Sequence, residues 1–111
     1  MSKMHHLDAL FSHVWMVRTF LKHAEELEDD PELNDIQRTL YDTMLALGTA
    51  WKDQDETAYL KQAKKKIGKL RQATNYFAEL QPEVSTHMNF QMAARSLEQA
   101  VSEIEGFLED S

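Results

Sequence analysis

Residues 30–51 read DPELNDIQRTLYDTMLALGTAW, and this stretch shows how most of the chain is expected to fold. Asp30 is suited to cap a helix, Pro31 suits the first helical position, and Glu32 favours the positive end of the helix dipole. Apolar side chains then recur every three or four residues, which is the spacing of one helix face. The members of this stripe are Leu33, Ile36, Leu40, Met44, Leu47 and Trp51. The stretch therefore predicts an amphipathic α-helix. Gly48 inside it either costs roughly 1 kcal/mol of helix preference against alanine or marks a close approach of a neighbouring helix.

The same periodicity on both sides predicts three more helices. The first runs from about Lys3 to about Glu28. The third starts near Asp53, which forms a capping-box pattern with Glu56, and it stops before Pro82. The fourth starts between Pro82 and Thr86. Their stripes are Leu7, Leu10, Val14, Val17, Leu21 and Ala24 in the first helix, Leu60, Ala63, Ile67, Leu70, Thr74 and Phe77 in the third, and Phe90, Ala93, Ala94, Leu97, Val101, Ile104 and Leu108 in the fourth.

Long helices joined by short connections favour antiparallel neighbours. The sequence therefore predicts an all-α protein with one domain, residues 1–111, folded as an antiparallel up-down-up-down four-helix bundle. The alternative is a helical pair that completes its bundle by dimerisation.

Composition restricts the possible functions of the chain. The 111 residues include no cysteine, which excludes disulfides, thiolate metal sites and a cysteine nucleophile. No apolar run approaches the roughly 20 residues that cross a bilayer, and the first residues lack the apolar core of a signal peptide. We expect a cytoplasmic protein without a membrane segment.

One basic run interrupts an otherwise acidic chain with a formal net charge of -7. Residues 61–71, KQAKKKIGKLR, contain six cations and no acid. Lys61, Lys64, Lys65 and Arg71 fall on the polar side of the third helix, where they are candidates for a nucleic-acid contact. The acidic flanks and the lack of aromatic residues within the run favour a solvated helix face instead.

Several large apolar residues lie off the predicted stripes and are candidates for contact with a partner. Trp15 projects away from the centre of the first stripe beside Phe11, and Met16, Met88 and Met92 are also off-centre. Such residues mark a second buried surface, as at an oligomer or partner interface, or simply widen the apolar face of an ordinary bundle.

The histidines and acids do not form a metal-binding pattern. None of the five histidines follows a glutamate by three residues, and no two are four residues apart. Glu25, Glu28, Glu32 and Asp35 resemble the magnesium ligands of all-helical nucleotide pyrophosphohydrolases, but here they are almost contiguous, and helix ends explain them. We therefore assign no metal, no cofactor and no catalytic residue.

The closing stretch MNFQMAARSLEQAVSEIEGFL, residues 88–108, resembles the last helix of small bacterial four-helix-bundle proteins of the retroelement-accessory and ribosomal-RNA intervening-sequence type. The resemblance covers about a fifth of the chain. It implies an oligomer and, as in some of those proteins, a basic surface for nucleic acid, which the acidic composition here does not match.

These observations favour a non-enzymatic helical-bundle interaction or assembly protein that self-associates or binds a protein partner. Two alternatives are a nucleic-acid-associated bundle that uses the basic face of the third helix and a metal-dependent hydrolase.

Overall fold

A computed structural model describes residues 2–110 of the chain, so Met1 and Ser111, the ends of the predicted domain, lie outside the described residues. Four α-helices and one short 3-10 turn make up nearly all of it. The helices are α1 (Lys3–Lys22), α2 (Pro31–Lys52), α3 (Glu56–Val84) and α4 (Met88–Glu109), and the 3-10 turn is Glu25–Leu27.

The helices confirm the predicted four-helix bundle. Each packs against the next along the chain, and α4 closes the bundle against α1. Side-chain contacts show that α1 and α2 are antiparallel, because Trp15 meets Tyr41 while His5 meets Trp51. The pair α1 and α4 is antiparallel too, because His6 meets Phe107 while Phe20 meets Phe90. The bundle measures 39 × 23 × 20 Å. Within the described residues, none of the helices combines the length and the apolar character needed to cross a bilayer.

The core follows the predicted stripes, with one large addition from α3. Tyr59 is fully buried and packs edge-on against Phe11 of α1 and Trp51 of α2. Its hydroxyl donates a 2.8 Å hydrogen bond to Asp8 of α1, so the one polar atom of the ring has a partner. Burial, followed by the bond to Asp8, raises the pKa of Tyr59 well above its usual range.

The first helix is shorter than predicted. It ends at Lys22, because Ala24 adopts extended backbone with ψ at 137° and the 3-10 turn Glu25–Leu27 follows. Asp30 then caps α2 by accepting a 3.0 Å bond from the backbone N–H of Leu33. The cap and Pro31 are thus confirmed, whereas the extension of α1 to Glu28 was wrong.

The predicted start of α3 was also wrong, by two residues. Asp55 rather than Asp53 caps the helix and accepts a 3.1 Å bond from the backbone N–H of Ala58. Gln54 has a φ of 52°, a left-handed conformation that reverses the chain within this short connection. Asp53 instead ends α2, where its N–H bonds to the carbonyl of Thr49.

Pro82 lies inside α3 rather than before α4. A proline removes one backbone N–H from a helix, and Pro82 lies in the last turn, where α3 continues only to Val84. Met88 begins α4, later than the predicted range, and the Nδ1 atom of His87 caps it by accepting a 3.0 Å bond from the N–H of Asn89.

Candidate functional site

The residues predicted to contact a partner fall into three separate environments. Phe11 is only 1% exposed and packs against Tyr59, so the structure corrects its assignment to a partner surface. Trp15 and the three methionines are exposed. Trp15 contacts Tyr41 of α2, whereas Met88 and Met92 belong to α4.

Met16, Met88 and Met92 occupy the side of the bundle where α1 meets α4. Met16 lies between His13 and Phe20, which contact Ser96 and Phe90 of α4. Met92 precedes Ser96 by four residues, and Met88 precedes Met92 by four, so both methionines lie near this seam. The three side chains are 44–62% exposed. We call Met16, Met88, Met92 and the half-buried Phe20 the methionine surface.

Fixed charge is scarce around the methionine surface. The residues three, four or seven positions from Met16 or Met92 are their neighbours on the same helix side. Only Arg95 among them is an Asp, Glu, Lys or Arg residue. These neighbours within the helices are Ala9, Ser12, His13, Thr19 and Phe20 around Met16, and Met88, Asn89, Arg95, Ser96 and Gln99 around Met92.

On the other side of α1, an arginine is stacked on two aromatic rings. The guanidinium carbon of Arg18 lies 4.5 Å from the ring centroid of Tyr41 and 5.1 Å from that of Trp15. The two ring centroids are 6.2 Å apart. Leu45 follows Tyr41 by four residues on α2 and is largely exposed. We call Trp15, Arg18, Tyr41 and Leu45 the aromatic–arginine cluster.

A groove of about 320 Å³ adjoins this cluster between α1 and α2. Three of the residues that line it are cationic, and no acidic residue occurs among the described lining residues. Arg18, Lys22 and Arg38 form no ion pair with a carboxylate within residues 2–110. We call this site the basic groove, and its lining consists of Arg18, Lys22, Asn34, Gln37, Arg38 and Tyr41.

Two polar atoms of the basic groove residues are buried without a hydrogen-bond partner. They are the Nε atom of Arg18, a donor, and the Oε1 atom of Gln37, an acceptor. Gln37 is 3% exposed, and its amide nitrogen donates a 2.9 Å bond to Asn34. Buried polar groups are normally paired, so the groove is incompletely satisfied by the chain itself.

The four cations predicted for nucleic-acid contact are not equivalent in the structure. Arg71 faces α4, where it donates to Glu98 at 2.7 Å and to Glu105 at 2.5 Å. The hydrogen bond to Glu105 is the largest influence that raises the pKa of Arg71. Lys61, Lys64 and Lys65 are exposed on α3. The charge of Arg71 is therefore neutralised within the bundle rather than presented with the lysines.

The histidines of α1 take part in packing contacts between helices. The ring of His6 stacks on Phe107 at 4.6 Å, and His5 lies edge-on to Trp51 at 5.1 Å. His13 is 3.4 Å from the hydroxyl of Ser96. Within residues 2–110, no three His, Asp or Glu side chains are grouped so that they could hold one metal ion.

Comparison of the chain with protein-family models, with curated proteins and with solved structures found no match. The candidate surfaces therefore depend on geometry alone. Sequence reasoning selected Trp15 and the methionines but missed Tyr41, Leu45 and the grouping of Arg18 with Arg38. Tyr41 and Leu45 also lie off the stripe of α2, and this signal was available in the sequence.

Proposed function

We propose that the protein is a non-enzymatic, cytoplasmic interaction protein that self-associates through the methionine surface. The observation that carries this proposal is the exposure of three methionines on two helices that pack together, Met16 on α1 and Met88 and Met92 on α4. Exposed apolar side chains grouped in this way are typical of interfaces, where methionine is enriched.

The charge pattern favours a second copy of the chain as the occupant of this surface. A two-fold interface brings the same patch of both subunits together, so it must be compatible with itself. A chain with a net charge of -7 repels its own copy at most orientations. Among the described helix neighbours of Met16 and Met92, Arg95 alone carries a fixed charge, so the methionine surface largely avoids that repulsion.

The two alternative functions have less support from the side-chain geometry. A nucleic-acid surface on α3 would use Arg71, which already bonds two carboxylates of α4. A metal-dependent hydrolase would use converging histidines or acids, and the histidines of α1 are engaged with Trp51, Phe107 and Ser96.

Native mass spectrometry of the untagged protein tests self-association. We expect an integer multiple of the 12.9 kDa chain mass. Met16→Glu combined with Met92→Glu places like charges on both sides of the interface, and we expect this variant to run as a monomer. Circular dichroism melting checks that it remains folded.

The matched control is Thr57→Glu combined with Gln72→Glu, which adds the same charge at exposed positions of α3. The control should retain the wild-type mass. A monomeric wild type at every concentration would refute self-association. An oligomer that persists in the methionine variant would place the interface elsewhere.

A further inference from the structure

The aromatic–arginine cluster presents a fixed cation on the side of α1 away from the methionine surface. An arginine stacked on aromatic rings keeps the edge of its guanidinium available for planar acceptors such as a carboxylate. The rings of Trp15 and Tyr41 restrict Arg18 before any partner arrives, which lowers the entropy lost on binding. Tryptophan, tyrosine and arginine are also the residues that dominate binding energy at protein interfaces.

Unpaired positive charge extends this cluster into the basic groove. Lys22 and Arg38 lie beside Arg18 in the lining, and none of the three is paired with a carboxylate within residues 2–110. Arg71 shows the contrast, because two glutamates of the same chain neutralise it. We propose that the basic groove binds an acidic peptide segment of a different protein, with carboxylates on Arg18 and Arg38 and apolar side chains on Trp15 and Leu45.

A peptide fits the groove better than a second copy of the chain. Two copies that met at this groove would bring six unpaired cations together, so the surface is not compatible with itself. A peptide carboxylate can also reach the exposed cations of the lining, Lys22 and Arg38.

A peptide also fits better than nucleic acid. Nucleic-acid surfaces need positive charge spread along a phosphate backbone. Here the connection that follows α1 carries Glu25, Glu26, Glu28, Asp29 and Asp30 immediately beyond the groove residues of that helix. A nucleic-acid strand that extends beyond the groove in that direction meets five carboxylates, which repel its phosphates. A short acidic peptide segment can bind within the groove without extending to them.

Fluorescence anisotropy at low ionic strength tests the proposal. The probe is a fluorescein-labelled peptide in which Glu and Asp alternate with Leu and Phe. The comparison probes are the same peptide with Gln and Asn in place of the acids, and a labelled oligothymidylate. We expect the acidic peptide to bind, and the other two probes to bind at least about tenfold more weakly.

Arg18→Gln combined with Arg38→Gln should weaken binding of the acidic peptide by at least about tenfold. Lys61→Gln combined with Lys65→Gln removes the same charge from α3 and should leave binding unchanged. Arg38 is exposed, so Arg38→Gln alone provides a variant with little effect on folding and should weaken binding several-fold. A melting curve of each variant accompanies the titration.

Absence of binding by the acidic peptide would overturn the proposal, as would equal losses in the two double variants. Tighter binding of oligothymidylate would assign the groove to nucleic acid instead. The methionine surface is on the other side of α1, so native mass spectra should show peptide added to an unchanged oligomer. If the acidic peptide does not bind, the proposal of self-association is unaffected. If the protein is a monomer and binds the peptide, only the proposal of self-association is refuted.

Discussion

Gly48 lies on an exposed turn of α2, and a Cβ atom added there meets no atom within 4 Å. Of the two alternatives for this glycine, the close helix approach is therefore wrong, and the cost in helix preference remains. Gly48→Ala should raise the free energy of unfolding by about 1 kcal/mol, because glycine loses more backbone entropy than alanine in a helix. Urea denaturation measures the change. Gly106→Ala on α4 is equally open and should behave alike, and a loss of stability in either variant would contradict this account.

Tyr59 should make the bundle sensitive to alkaline pH. Burial keeps its hydroxyl protonated in the folded state, whereas in the unfolded chain it titrates near its ordinary pKa of 10.0. Its pKa is raised on folding, so its contribution to stability is complete below pH 10 and is lost as pH rises above that value.

Tyr59→Phe tests this expectation. At neutral pH the variant should lose about 1 kcal/mol with the bond to Asp8. Above about pH 10, the wild type should lose stability more steeply than the variant, by up to about 1.4 kcal/mol per pH unit. Tyr76, whose pKa a hydrogen bond to Glu32 raises to about 12, titrates in both proteins, so the comparison isolates Tyr59. Parallel pH profiles of the two proteins would contradict the assignment.

At the scale of the helices, Arg71 is the side chain that ties α3 to α4. It bonds Glu98 and Glu105 and also donates to Ser102, while its side chain is about one-fifth exposed. Arg71→Gln should cost about 1–2 kcal/mol of stability, because the pairs are partly screened by solvent but leave two glutamates close together when broken. Chemical denaturation should show a smaller loss at high salt.

Lys61→Gln provides the control for Arg71. It removes one charge from an exposed position of α3 and should change stability by less than about 0.5 kcal/mol. Equal costs for the two substitutions would mean that the ion pairs with α4 contribute nothing beyond net charge.

The presence of the four helices was predictable from the sequence. The position of a helix end was predictable only where a residue, such as a proline, is compatible with one placement. Pro31 cannot continue a preceding helix and Asp30 can cap, so α2 began where expected. Asp53 and Asp55 are equally good caps by composition, and the left-handed backbone of Gln54 selects Asp55. Pro82 was interpreted as a stop, but it removes only one backbone N–H from α3, and the helix continues two residues further to Val84.

The candidate surfaces were predictable only in part. The sequence shows which residues share a face of a helix, but it does not show which neighbouring helix lies beside that face. The off-stripe positions of Trp15 and Met16 were visible, yet the sequence could not show that one faces α2 and the other lies toward α4. Phe11 was misassigned because the large ring of Tyr59 reaches it from α3, across the bundle. The stacking of Arg18 on Tyr41 depends on the register between α1 and α2, which side-chain packing sets.

At the scale of the whole molecule, α1 separates two surfaces of different chemistry, and salt should distinguish them. Association through the methionine surface removes apolar area from water and involves few fixed charges, so sodium chloride should change it little. Peptide binding at the basic groove depends on three cations and should weaken as salt screens them. We therefore expect mass measured by light scattering to stay constant between about 0.05 and about 0.5 M salt, while peptide anisotropy falls. If both signals fell together, charge would control self-association as well, and the acidic stretch Glu25–Asp30 of one copy would become the first candidate to occupy the basic groove of another.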